Sequence, residues 1–142
     1  KIYAVPGIRL GYGISSDKAL LERMETVRQP WSVSTPAQAA GLSALKEDHR
    51  EEQTRQLVKS ERERMEKELE NLRIEYIPSE ANFLLFNSEI NWFEELKKRG
   101  ILIRDCANYR GLGNGWYRLA VRLPEENDRL LECMKQVLNE RS

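Results

Sequence analysis

The sequence predicts an α+β fold in which helices cover one face of a small sheet, and three observations carry that expectation. Runs rich in strand-forming residues, Asn82 to Phe86, Ile101 to Arg104 and Trp116 to Val121, are too short for helices. Around them, apolar residues recur at the spacing of amphipathic helices, as in Leu130, Leu131, Met134, Val137 and Leu138. The connections are short, so strands and helices alternate along the chain and must be layered on one another.

Pro6-Gly7 marks a turn, after which Arg9 to Ser15 (RLGYGIS) reads as a short strand. Ser15 or Ser16 then caps a helix whose Leu20, Leu21, Met24 and Val27 form one stripe, ended by Gln29-Pro30. Thr35-Pro36 supplies a cap with proline at the first helical position, and PAQAAGLSAL is small and apolar enough to pack closely. From Lys46 to Asn71 the chain is highly charged but keeps Val58, Met65, Leu69 and Leu72 along one face. No apolar heptad is sustained there, so a long helix with a solvated outer face is expected rather than a coiled coil. Strands follow at Arg73 to Ile77 and Asn82 to Phe86, separated by Pro78-Ser79-Glu80, and a short helix from Asn91 to Lys98 is stopped by Gly100. Two more strands and a closing helix, Pro124 to Glu140, complete the order.

Composition narrows the function. Lys+Arg and Asp+Glu both number 23 in 142 residues, so no broad basic field exists to attract nucleic acid or an anionic membrane. Neither is expected as a partner. Cys106 and Cys133 are the two cysteines, without a CxxC or zinc-site spacing, which argues against a disulfide scaffold or structural metal and for a reduced, cytoplasmic setting. No apolar run approaches the ~18 residues of a membrane-spanning helix.

The anomaly is arginine inside apolar, strand-like runs: Arg9 in GIRLGY, Arg104 in ILIRDC and Arg118 in WYRLAVR. Each could face solvent or pair with a carboxylate such as Asp105. Three together also read as a receptor for a doubly anionic small molecule, because the planar guanidinium fork matches phosphate and carboxylate. Lys1 adds an amine able to form a Schiff base with an aldehyde, and Arg9, eight positions on, could bind a phosphate carried by that aldehyde.

The string KIYAVPGIRLGY closely resembles the active-site segment of fold type I pyridoxal-phosphate enzymes of aminotransferase class I/II. PWSVSTPAQAAGLSAL, ANFLLF and GILIRDCANYRGLGNGWYRLAVR continue the resemblance through the C-terminal third of the branch that holds histidinol-phosphate aminotransferases and L-threonine-O-3-phosphate decarboxylases. IRDCANYRGL and YRLAVR look more like the decarboxylases, and Arg122 stands where the aminotransferases more usually have glycine. The resemblance implies the small C-terminal domain of that fold, with a mainly antiparallel sheet. It implies residues 1–30 as a remnant of the large-domain active-site segment with its connecting helix, and 31–142 as the small domain.

By the same resemblance Lys1 is the catalytic lysine that holds pyridoxal 5'-phosphate, Arg9 a cofactor-phosphate ligand, and Arg104 and Arg118 the pair that holds the substrate's anionic group. Tyr3 and Tyr12 are expected as packing residues, Asn108 and Tyr109 as pocket-lining or plain turn residues, and His49 as a solvated surface residue. The substrate implied is a small phosphorylated amino compound. The implied partners are a preceding large domain and a second subunit, and without the large domain the chain is expected to be inactive. A non-enzymatic helical interaction module is the alternative from another class.

Overall fold

A computed structural model describes Tyr3 and residues 6–47 and 49–141. The chain divides into two compact units, Lys1–Thr54 and Arg55–Ser142. In the first, a 3-10 turn, Pro6–Ile8, precedes helices α1 (Lys18–Val27) and α2 (Thr35–Ala44). Helix α3 (Arg50–Asn71) begins in the first unit and runs into the second, where β1 (Tyr76–Ile77), β2 (Phe83–Asn87), α4 (Trp92–Lys98), β3 (Arg104–Asp105), β4 (Trp116–Ala120) and α5 (Pro124–Asn139) follow.

In the second unit the four strands pair in the order β1-β2-β4-β3, every pair antiparallel. Alternation decides what each face does. Leu84 and Phe86 of β2, with Tyr117 and Leu119 of β4, point into a core closed by Met65 and Leu69 of α3, Trp92 and Leu96 of α4, and Leu130, Leu131, Met134 and Val137 of α5. Phe86 is the aromatic hub, edge-on to Trp92 at 6.4 Å and tilted against Tyr117 at 5.5 Å between ring centroids. The opposite face carries Phe83, Leu85, Arg118 and Ala120. The α+β architecture with helices on one face is as the sequence predicts.

Two helices end in the same device. After α4 the N–H of Ile101 reaches the carbonyl of Leu96 at 2.9 Å and that of Gly100 reaches Lys97 at 3.0 Å, with Gly100 left-handed at φ +74°. After α3 Ile74 bonds Leu69 and Arg73 bonds Glu70, both at 2.9 Å, with Arg73 at φ +56°. Both are Schellman turns, in which the residue beyond the left-handed position packs back on the last helical turn. Arg73 takes the position that glycine occupies after α4. Arg73→Gly is therefore expected to raise stability by about 0.5 to 1 kcal/mol, the left-handed penalty removed less the entropy glycine loses on folding. Arg73→Ala should give no such rise; the two are compared by urea unfolding of the purified chain.

Several local expectations need correction. Arg9 to Ser15 form no strand: Arg9 is left-handed at φ +56° and none of these residues belongs to a strand of the sheet. Asp17, not Ser15 or Ser16, caps α1, its carboxylate accepting from the Leu20 N–H at 3.0 Å. Ser34 rather than Thr35 caps α2. Leu45 and Lys46 close the α2 turn and His49 is left-handed at φ +73°, so α3 starts at Arg50 rather than Lys46. The α1 stripe buries nothing: Leu20, Leu21 and Met24 are exposed and Val27 is 81% exposed.

Candidate anion-binding site on the open sheet face

The register of the last hairpin places the site. β3 pairs with β4 so that Arg104 lies directly opposite Arg118, and Asp105 opposite Tyr117. The chain between them turns back through Cys106 to Gly115, held by Cys106 N–H to the Trp116 carbonyl at 2.8 Å and by Tyr109 N–H to the Cys106 carbonyl at 2.9 Å. Tyr117 is buried on the core side, so its neighbour Arg118 projects from the other face. Two like charges directly opposite on one sheet face destabilise the pairing unless something negative answers them.

No carboxylate of the described residues does. Asp105 accepts instead from the Ala107 N–H at 2.9 Å, closing a short turn. Arg104 Nη2 donates to Asn108 Oδ1 at 3.1 Å, and its guanidinium lies 5.3 Å from the Tyr109 ring centroid. The Arg118 guanidinium lies 5.1 Å from the Phe83 ring centroid and forms no ion pair among the described residues. Both cations are oriented by neutral groups. Asn108 and Tyr109 are thus residues that position Arg104. Burial pushes the nearby Cys106 thiol up, while Arg118 and Arg104 pull it down and Asp105 pushes it up.

A cleft of about 400 Å³ opens beside this pair, between Gly100 to Ile103 on one flank and Ala120, Arg122 and the start of α5 on the other. Its shape depends on a buried polar network that sequence reasoning missed. Asn127, 1% exposed, accepts from the Arg122 N–H and donates to the Arg122 carbonyl, each at 3.0 Å. Its Nδ2 also donates to Glu61 Oε2 at 2.7 Å. Glu61 is buried and takes two further bonds from Arg64, at 3.1 and 2.7 Å, and Arg64 reaches Asp128 at 2.7 Å. The Arg64 bonds hold the Glu61 carboxyl below its usual range against the opposing push of burial, and Asn127 adds to the lowering. A polar residue inside the first turn of a helix otherwise apolar on its inner side was the one signal in the sequence. Its partner lies 66 residues away and is not announced.

The other expected site residues lie in the first unit. Lys1 is outside the described residues. Arg9 is exposed, and its left-handed backbone is a strained conformation of the kind that clusters at ligand clamps. Neither tyrosine of the motif is buried: Tyr12 is exposed and the Tyr3 hydroxyl donates to Glu51 at 2.9 Å, which raises its pKa. Leu10 meets α2 at Gly41, where an added Cβ would lie 2.6 Å from a Leu10 methyl, so the small residue lets the two approach. His49 is exposed, as expected, and Cys133 is packed against the core of the second unit.

The profile of the family "Aminotransferase class I and II" matches residues 1–133, and the chain belongs to that family. Threonine-phosphate decarboxylase of Salmonella typhimurium is 39% identical over 142 residues, covering 97% of this chain. Histidinol-phosphate aminotransferase of Symbiobacterium thermophilum is 38% identical over 143 residues, covering 99%. The chain spans 39% of the length of each. Among solved structures, histidinol-phosphate aminotransferase from Clostridium acetobutylicum superposes with a TM-score of 0.93 at 32% identity, over 99% of this chain and 44% of that one. L-threonine-O-3-phosphate decarboxylase from Porphyromonas gingivalis gives 0.82 at 26%, over 97% and 44%. The fold is that of the aminotransferase fold type I enzymes. No described helix is long and apolar enough to cross a membrane.

Proposed function

We propose that this chain is the C-terminal segment of a pyridoxal-phosphate-dependent enzyme acting on a phosphorylated amino compound, and that the enzyme is an L-threonine-O-3-phosphate decarboxylase of cobalamin biosynthesis. One observation carries the substrate class: Arg104 and Arg118 stand opposite one another in the sheet, and no carboxylate of the described residues pairs with either. The names of relatives in both branches specify phosphorylated substrates. Residues 1–30 would belong to the active-site segment and connecting helix, and 31–142 to the small domain. The rest of the parent chain would cover the exposed apolar stripe of α1.

The donor set fits the cofactor: a lysine amine suits its aldehyde, and an exposed guanidinium eight residues on suits its phosphate. When bound, pyridoxal phosphate supplies the electron sink for the bond broken at the substrate's α-carbon. Lys1 holds the cofactor and moves a proton at the α-carbon. Arg9 retains the cofactor through its phosphate. Arg104 and Arg118 would grip the substrate's phosphoryl group and fix its orientation, leaving the substrate's carboxylate ungripped. Without the large domain the chain holds the cofactor weakly and does not turn over.

A second reading, histidinol-phosphate aminotransferase, is favoured by the 0.93 superposition. The full-length enzyme containing this segment distinguishes them. Release of carbon dioxide from L-threonine-O-3-phosphate is the expected result; amino transfer from histidinol phosphate selects the second reading, and neither activity overturns both.

A further inference from the structure

The cleft beside the arginine pair carries charge on its α5 flank as well. Besides Arg104 and Arg118 it is lined by Arg122, Glu126 and Arg129. Arg122 is answered by Glu126 at 2.7 Å. Arg129 is not answered: it makes no hydrogen bond or ion pair among the described residues, although Glu125 stands four positions before it and Glu132 three after, both within helical reach. Asp128, next to it in sequence, is held by Arg64 at 2.7 Å. The Arg129 guanidinium instead lies by the Gly100 turn, where a Cβ added to Gly100 would be 3.5 Å from Arg129 Nη2. With Arg122 and Glu126 cancelling, three further arginines, two from strands and one from a helix, line one volume of about 400 Å³.

We propose that Arg129 of α5 is a third anion-contacting residue of this cleft, fitting it to a dianionic phosphoryl group rather than to a lone carboxylate. The assignment rests on the proposed anion grip of Arg104 and Arg118 and deepens it. A carboxylate offers one charge and two oxygens, which the strand pair alone can satisfy. A phosphate monoester is close to doubly charged at neutral pH and presents three acceptor oxygens, enough to engage the helix side of the cleft as well. Arg129 then acts as a specificity-determining residue, and Glu126 limits the excess positive charge by holding Arg122.

The test uses the 142-residue chain labelled with nitrogen-15, following the arginine Nε–H signals during titration with methyl phosphate and, separately, acetate at matched ionic strength. Methyl phosphate is expected to move Arg104, Arg118 and Arg129 along one isotherm, and acetate to move only the first two. Arg129→Gln should weaken methyl phosphate binding about three- to tenfold, the range of an exposed charge-assisted contact, leaving acetate binding and the thermal midpoint unchanged. Unchanged phosphate affinity in that variant, with loss in Arg118→Gln, overturns the role of Arg129 and leaves the anion grip standing. No response of Arg118 in the parent chain overturns both. Displacement of methyl phosphate by pyridoxine 5'-phosphate more strongly than by O-phospho-L-threonine would assign the cleft to the cofactor's phosphate and also overturn the proposal.

Discussion

Asn127→Leu removes about 3 kcal/mol of folding stability from the second unit, the cost of stranding the Arg122 N–H and carbonyl and one bonding site of the Glu61 carboxylate. Leucine fits the volume and suits the apolar side of α5, so hydrophobicity alone predicts a neutral or stabilising change. The two expectations have opposite sign. Denaturant unfolding followed by the fluorescence of Trp92 and Trp116 decides between them, and a loss below about 1 kcal/mol would remove the network from the account of the fold. Asn127→Asp is expected to be worse still, because it sets a second carboxylate against Glu61.

Arg118→Lys in the complete enzyme lowers kcat/KM by about tenfold to a few hundredfold. Lysine keeps the charge but loses the fork, and a charge-assisted hydrogen bond is worth about 1.5 to 3 kcal/mol at roughly 1.4 kcal/mol per factor of ten. Arg9→Lys acts earlier, lowering cofactor occupancy before substrate is added, which the cofactor's visible absorbance reports. Normal kinetics with a lower thermal midpoint in Arg118→Lys would make that arginine a structural residue. Equal cofactor loss in both variants would erase the division of roles.

What the sequence discloses about this molecule depends on how local the determining physics is. Gly100 marks the end of α4 because only glycine takes a left-handed turn without strain, and its residue type announces that. Arg73 makes the same turn after α3 silently; there the burial of Leu69 and Ile74 imposes the backbone and the side chain tolerates it. The apolar stripe of α1 is correctly periodic, yet periodicity specifies a helix and not the presence of a surface to cover it. Arg104 and Arg118 are visible as misplaced charges, but that they face each other is a fact of register across a ten-residue loop. The Asn127 to Glu61 bond, and the turn of Arg129 away from its helical carboxylates, depend on packing between elements and leave almost no trace in either segment.

The outer strands of the sheet are two residues each, Tyr76–Ile77 on one side and Arg104–Asp105 on the other. An exposed strand edge is a template on which another chain can add, and one this short offers too few unpaired peptide groups to hold a newcomer. Pro78 follows directly on the first edge, and the second consists of two charged residues. The late start of β3 at Arg104 therefore has two effects: it leaves the cleft open beside Ala120, and it denies a neighbouring molecule the ladder from which intermolecular β-sheet, and eventually aggregate, would grow.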